Sequence, residues 1–174
     1  MRRILFPGTF DPIHFGHLDI AQRALTLFDE MVVAVYDQPM KSLLFSPEER
    51  IKLVKKAFKN EAQVRVEGYS GLTISYARRI DACAIVRGLR VFSDFEYEFR
   101  IALANKRLDP DIDTIALITS EQHTFLSSTT VKEIAALGGD ISSMVPIYVA
   151  HALEKKFKEL GDGQNIVPLS SLRD

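Results

Sequence analysis

A single cysteine in 174 residues leaves neither a disulfide framework nor a thiolate cluster for a structural zinc. Cys83 stands in Asp81-Ala82-Cys83-Ala84-Ile85-Val86, which reads as the approach to a buried strand. An inert core thiol and a reducing, cytoplasmic compartment are therefore expected. Long hydrophobic runs are also missing: Met31 to Tyr36 has strand length and is far too short to cross a bilayer, so no membrane partner is expected. At the start, Met1-Arg2-Arg3 and Ile4-Leu5-Phe6 have the order of a secretory signal, but Pro7-Gly8 ends the apolar run and no targeting segment is expected. Nor is either sign of charge in excess. Twenty-two basic and 23 acidic residues give a formal net charge of −1, without the general positive field of a dedicated nucleic-acid binder. A phosphate-bearing ligand would have to be held by a local cluster.

What is present suits one globular domain. The chain is 47% hydrophobic and 26% charged, and at this length folding buries roughly 70% of the unfolded surface, enough for a core without cross-links. The expected unit covers residues 1–160, with Gly161-Asp162-Gly163-Gln164-Asn165 opening a flexible tail over 161–174.

Strand-length apolar runs alternate with segments of helical period, which predicts five βα units and a doubly wound, Rossmann-like parallel sheet. The predicted strands are Ile4–Phe6, Met31–Tyr36, Val64–Val66, Ala84–Val86 and Thr114–Ile118. A helix after His14 places Leu18, Ala21, Leu25 and Phe28 on one face. Ser46-Pro47-Glu48-Glu49 opens another, with an N-cap serine, proline at the first helical position and a capping-box glutamate, and buries Ile51, Val54 and Phe58. Thr73 to Ile80 is a short helix. Phe92 to Leu108 is a long one whose inner face is expected to be Phe92, Phe95, Phe99 and Ala102. A helix through Val131, Ile134 and Ala135 ends at Gly138-Gly139, and Pro146 begins the last. Ligands of such sheets bind beyond the carboxyl ends of the strands, and the unusual residues cluster there.

After the first strand, Pro7-Gly8-Thr9-Phe10 reads as a turn whose glycine admits a ligand to the backbone and whose threonine offers a hydroxyl. His14 and His17 fall on one face at a helix start, among amides that favour anions, and Gly16 leaves space between them. A triphosphate over this helix end, with imidazole donating to oxygens that gain charge, is one reading; surface or capping histidines are the other. A zinc pair lacks partners, since the remaining histidines are His123 and His151. Arg87 and Arg90 follow the fourth strand with Gly88 between them, as a phosphate clamp or a solvated turn. Asp94, Glu96 and Glu98 are ligand acceptors or an exposed helical face. Ser127-Ser128-Thr129 is a phosphate cradle or an ordinary N-cap.

Taken together, Gly8-Thr9-Phe10-Asp11-Pro12 and His14-x-Gly16-His17 resemble the first motif of the nucleotidylyltransferase superfamily. From Arg3 to about Leu160 the chain resembles the bacterial phosphopantetheine adenylyltransferase family, through Arg87-Gly88-Leu89-Arg90, Asp94-Phe95-Glu96-Tyr97-Glu98, Asn105 and Ser127-Ser128-Thr129 in order. The resemblance implies adenylyl transfer from ATP to phosphopantetheine, giving dephospho-coenzyme A and pyrophosphate, with magnesium and in a homo-oligomer, usually a hexamer. It assigns His17 to transition-state stabilisation and Thr9, Lys41, Thr73 and Arg87 to the acceptor. ATP falls to Thr9, Phe10, His14, His17, Gly88, Leu89, Arg90, Glu98 and the run His123-Thr124-Phe125-Leu126-Ser127-Ser128-Thr129. Thr73 stands where relatives usually carry an apolar residue. An ionised acceptor phosphate is already a nucleophile, so positioning and charge neutralisation suffice. The alternatives are a nucleotidylyltransferase for another acceptor, such as nicotinamide mononucleotide or glycerol phosphate, and a module that binds ATP without turnover.

Overall fold

Runs of aliphatic and β-branched residues become the strands of the computed structural model, which describes residues 1–37 and 43–161. Lys41 and the tail beyond Gly161 lie outside the described residues. The strands are β1 (Arg3–Gly8), β2 (Glu30–Tyr36), β3 (Val64–Tyr69), β4 (Ala84–Leu89) and β5 (Asp113–Ile118), all parallel in the order β3-β2-β1-β4-β5. The helices are α1 (Phe15–Leu25), α2 (Pro47–Ala57), α3 (Thr73–Arg79), α4 (Phe92–Leu108), α5 (Ser128–Ala136) and α6 (Ile147–Gly161). This is the predicted Rossmann-like sheet, with the strand order reversing between β1 and β4.

β1 and β2 are buried along almost their whole length, as strands covered on both faces must be. Alternate side chains feed two cores. Ile4, Phe6, Met31, Val33, Val35 and Val86 meet α1, α2, α5 and α6 on one face. Leu5, Val32, Ala34 and Ile85 meet α3 on the other, through Ile74, Tyr76 and Ala77. The Ser46 capping box forms as predicted: Ser46 Oγ accepts from the Glu49 amide at 3.3 Å, and the Glu49 carboxylate accepts from the Ser46 amide at 2.7 Å.

Three expectations need correction. Several strands run further than their apolar cores, so Pro7, Gly8, Arg87, Gly88 and Leu89 belong to β1 and β4 rather than to the turns after them. Cys83 is exposed, because it precedes β4 and its thiol donates outside the core to the Arg3 carbonyl at 3.1 Å. The third concerns α4, which turns a different face to the protein. Its less exposed positions are Asp94, Glu98, Ala102 and Asn105, whereas Phe95 (47%) and Phe99 (51%) are exposed and stack on each other with centroids 5.7 Å apart. Two of the inward positions are carboxylates that meet Arg87 of β4 and Arg90 just after it, and this pairing sets the rotation of the helix.

Candidate active site

The β1–β4 ladder pairs Ile4 with Ala84 and Leu5 with Ile85 and then stops, while β1–β2 pairs through to Gly8. The two central strands therefore part toward their carboxyl ends, at the reversal of strand order where ligands of this architecture bind. Arg87 bridges the gap: its Nη1 donates to the Pro7 carbonyl at 2.8 Å. Its Nε and Nη2 donate to the Glu98 carboxylate at 2.8 and 2.6 Å. Burial opposes the guanidinium charge, but Glu98 outweighs it and raises the Arg87 pKa above its ordinary value. Arg90 is held in the same style. Its Nε and Nη2 meet Asp94 at 3.0 and 3.1 Å, and its Nη1 donates to the Leu126 carbonyl at 2.7 Å. Each arginine thus has a carboxylate from α4 behind it and one hydrogen left on each terminal nitrogen for a ligand. The sequence read Glu98 as an acceptor for ATP; here its partner is Arg87.

His14 is the N-cap of α1 and His17 lies in its first turn, with the rings stacked at 3.7 Å. The His14 amide donates to Nδ1 of His17 at 3.2 Å, so a neutral His17 carries its proton on Nε2. Burial, then His14, Arg90 and Arg87, hold the His17 pKa well below the ordinary histidine value. Burial, then Arg90 and His123, push His14 down to about 3. Both rings are neutral at pH 7. Phe10 supports His17 edge-on at 4.9 Å. Phe10 is itself 2% exposed and has φ of +51°, a left-handed conformation that costs a non-glycine residue about 1–3 kcal/mol. Its ring belongs to the core.

The glycines of the motif turn out to serve packing. A Cβ on Gly8 would lie 2.8 Å from the Phe10 ring, one on Gly16 would lie 3.1 Å from the His14 ring, and one on Gly88 would lie 3.1 Å from Ile20 of α1. Each of the three stands against a side chain of this protein that an added Cβ would crowd.

The remaining expected residues arrive from two further segments. His123 ends a short 3-10 turn, Glu121–His123, with its Cβ 3.8 Å from where a Gly16 Cβ would stand. Ser127 caps α5, accepting from the Thr130 amide at 2.9 Å, and Ser128 Oγ donates to the Pro12 carbonyl at 2.8 Å. These two hydroxyls tie the chain together, while the first-turn amides of Ser128 and Thr129 have no intrahelical acceptor. Leu126 is fully buried and Phe125 is 57% exposed, while Thr124 Oγ1 turns back to the Ser120 carbonyl at 3.4 Å. Leu89 stays in the β4 edge of the site, its carbonyl accepting from the Thr119 amide. Thr73 opens α3, its hydroxyl 3.0 Å from Tyr69 Oη, and Tyr69 is close enough to Arg87 to feel its charge.

Sequence reasoning missed a buried polar cluster beneath the motif. Asp11, 2% exposed, accepts from the Leu44 and Phe45 amides at 3.0 and 2.9 Å and from Lys132 Nζ at 2.7 Å. Arg50, fully buried, donates to the carbonyls of Thr9, Tyr36 and Phe45. The signal was faint: Arg50 and Lys132 each interrupt an apolar helical stripe, and nothing local distinguishes them from exposed cations.

The cytidylyltransferase-like family model matches residues 5–134, a span that contains every segment of this site. The chain is 49% identical over 159 residues to the phosphopantetheine adenylyltransferase of Caldanaerobacter subterraneus subsp. tengcongensis, covering 91% of this chain and 99% of that one. It is 50% identical over 161 residues to the protein of the same name from Thermomicrobium roseum, covering 91% and 96%. A crystallised Vibrio parahaemolyticus protein assigned as a nicotinate-nucleotide adenylyltransferase shares the fold, with a TM-score of 0.65 at 21% identity over 88% of this chain and 99% of that one. Identity of this degree along nine-tenths of the chain, on a nucleotidyltransferase sheet, places it in the phosphopantetheine adenylyltransferase family.

Proposed function

We propose that this enzyme transfers the adenylyl group of ATP to phosphopantetheine in the crevice between β1 and β4, giving dephospho-coenzyme A and pyrophosphate. The observation that carries the site assignment is His17: neutral, fixed with its proton on Nε2, and beside two arginines that still have hydrogens to give. An oxygen of the acceptor phosphate attacks the α-phosphorus, a new P–O bond forms, and the bond to the β-phosphate breaks to release pyrophosphate. His17 donates to an α-phosphate oxygen as charge develops there, at no cost in reorganisation because its tautomer is already set. Arg87, with Thr9, Lys41 and Thr73, takes the acceptor. Arg90, His14 and the first-turn amides of α5 take the triphosphate, with Gly88, Leu89, the Phe10 main chain and the 123–126 segment around the nucleotide.

Magnesium belongs to this proposal as a companion of the triphosphate. Among the described residues, no group of three or more histidine, cysteine or carboxylate side chains could hold it, and Asp11, Asp94 and Glu98 are engaged by Lys132, Arg90 and Arg87. A homo-oligomer, a hexamer by family, is also proposed. The apolar side chains that α4 exposes, Phe99, Ile101, Leu103 and Leu108, support assembly. A cytoplasmic location completes the proposal; no helix among the described residues is long and apolar enough to cross a membrane.

The test is pyrophosphate release from ATP with phosphopantetheine, nicotinamide mononucleotide or glycerol phosphate supplied separately. Release with phosphopantetheine alone is expected. Release with either of the other two in its place would reassign the acceptor.

A further inference from the structure

One stripe of α1 faces the segment that leaves β5. Phe15, Asp19 and Arg23 stand four residues apart and so share a face of the helix. Each meets a different point of residues 118–123. The Phe15 ring stacks with His123, centroids 6.4 Å apart. The Asp19 carboxylate accepts from the Ser120 hydroxyl at 2.7 Å and from the Ser120 amide at 3.2 Å. Arg23 Nη1 donates to the Ile118 carbonyl at 2.6 Å and lies 3.6 Å from Asp19.

Asp19 stands at the centre of this grip, with its side chain 15% exposed. Burial works against its charge, yet the Ser120 hydroxyl and amide, then Arg23 and His123, outweigh it and hold the carboxyl below its ordinary pKa. Its contacts fall where the chain passes from β5 into the Glu121–His123 turn. The same helix carries His14 at its N-cap and His17 in its first turn. One rigid element therefore places both the histidines and the near end of the 120–126 segment. The far end is anchored separately: Leu126 is fully buried, its carbonyl accepts from Arg90, and Ser128 is tied to Pro12.

We propose that Asp19 is a positioning residue for the nucleoside end of ATP, fixing the 120–123 turn against the helix start that carries His17. The inference rests on the adenylyl-transfer function proposed above, in which the 123–126 segment surrounds the nucleotide. Without the carboxylate the turn loses both Ser120 ties to α1, and the nucleoside no longer holds the α-phosphorus opposite His17. A misplacement of about 1 Å costs on the order of 10²-fold in rate. Arg90 and the first-turn amides of α5 keep their own anchors, so the loss falls on the nucleoside and spares the phosphates.

The experiment compares wild type, Asp19→Ala, Ser120→Ala and the double variant by steady-state kinetics and thermal melting. Calorimetry is run with ATP and with inorganic tripolyphosphate, which offers the phosphates without the nucleoside. For Asp19→Ala the expected result is a fall in kcat/KM for ATP on the order of 10²-fold, with weakened ATP binding, unchanged tripolyphosphate binding and an unchanged KM for phosphopantetheine. Ser120→Ala, which keeps the amide contact, should show the same selective loss to a smaller extent, and should add nothing once Asp19 is gone. Equal loss of ATP and tripolyphosphate affinity, a lowered melting temperature with unchanged kinetics, or failure of both single variants to fold would each overturn the positioning role. Wild type that binds ATP but releases no pyrophosphate with phosphopantetheine overturns the proposed function and the Asp19 role with it. An active wild type with an unaffected Asp19→Ala overturns the Asp19 role alone.

Discussion

His17 owes its chemical state to its surroundings: the His14 amide fixes its tautomer, Phe10 supports its ring, and burial, then His14, Arg90 and Arg87, disfavour its protonation. An interaction made chiefly in the transition state appears in turnover more than in binding. His17→Ala is therefore expected to lower kcat by about 10²–10³, with a much smaller change in ATP affinity, measured by kinetics and calorimetry on one preparation. The neutral histidines also make stability depend on pH. In the unfolded chain His14 binds a proton below its ordinary pKa of 6.5, whereas the folded chain resists until about 3. The stability linked to a neutral His14 is complete above pH 6.5 and is lost as pH falls toward 3, by up to about 1.4 kcal/mol per pH unit. Urea denaturation between pH 8 and 5 should show this slope, and His14→Asn should flatten it; equal slopes would mean that His14 is solvated. Gly8→Ala tests the packing role of that glycine. Its Cβ would press on the Phe10 ring, so a loss of about 1–3 kcal/mol is expected from the same denaturation measurement.

At the scale of elements, caps were legible and faces were not. The Ser46-x-x-Glu49 signature sufficed to place the start of α2, because a cap is a contract between neighbours in sequence. Ser46→Ala should cost about 1 kcal/mol by thermal melting. α4 is the opposite case. Helical spacing grouped Phe95 with Phe99 correctly, but spacing cannot say which side of a helix meets the protein. That was decided by Arg87 and Arg90, which draw Glu98 and Asp94 inward and leave the aromatic pair outside. α5 adds a buried cation for a similar reason, since Lys132 answers Asp11 from far along the chain. Lys132→Met, which strands that carboxylate, should cost about 3–5 kcal/mol in urea, and adding Asp11→Asn should recover part of the loss.

Over the whole molecule, an exposed apolar face on a long helix is a liability unless something covers it. If copies of this chain do so, Phe99→Ser combined with Leu103→Ser should shift the sedimentation coefficient of the wild-type assembly toward that of a monomer. An unchanged coefficient would remove α4 from the interface. The sequence by itself determined the number, order and direction of the βα units and the segments that meet at the site, because apolar period, caps and punctuating glycines and prolines act over a few residues. It also brought His14 and His17 to one helix start, for the same local reason. Only the tertiary structure decided that the site glycines make room for Phe10, His14 and Ile20, that Glu98 and Asp94 support arginines, and that Arg50, Asp11 and Lys132 lie buried beneath the motif. Each of these depends on a partner brought close by the sheet rather than by the chain. A buried charge is tolerated only where such a partner stands, so its place cannot be read before the fold supplies one.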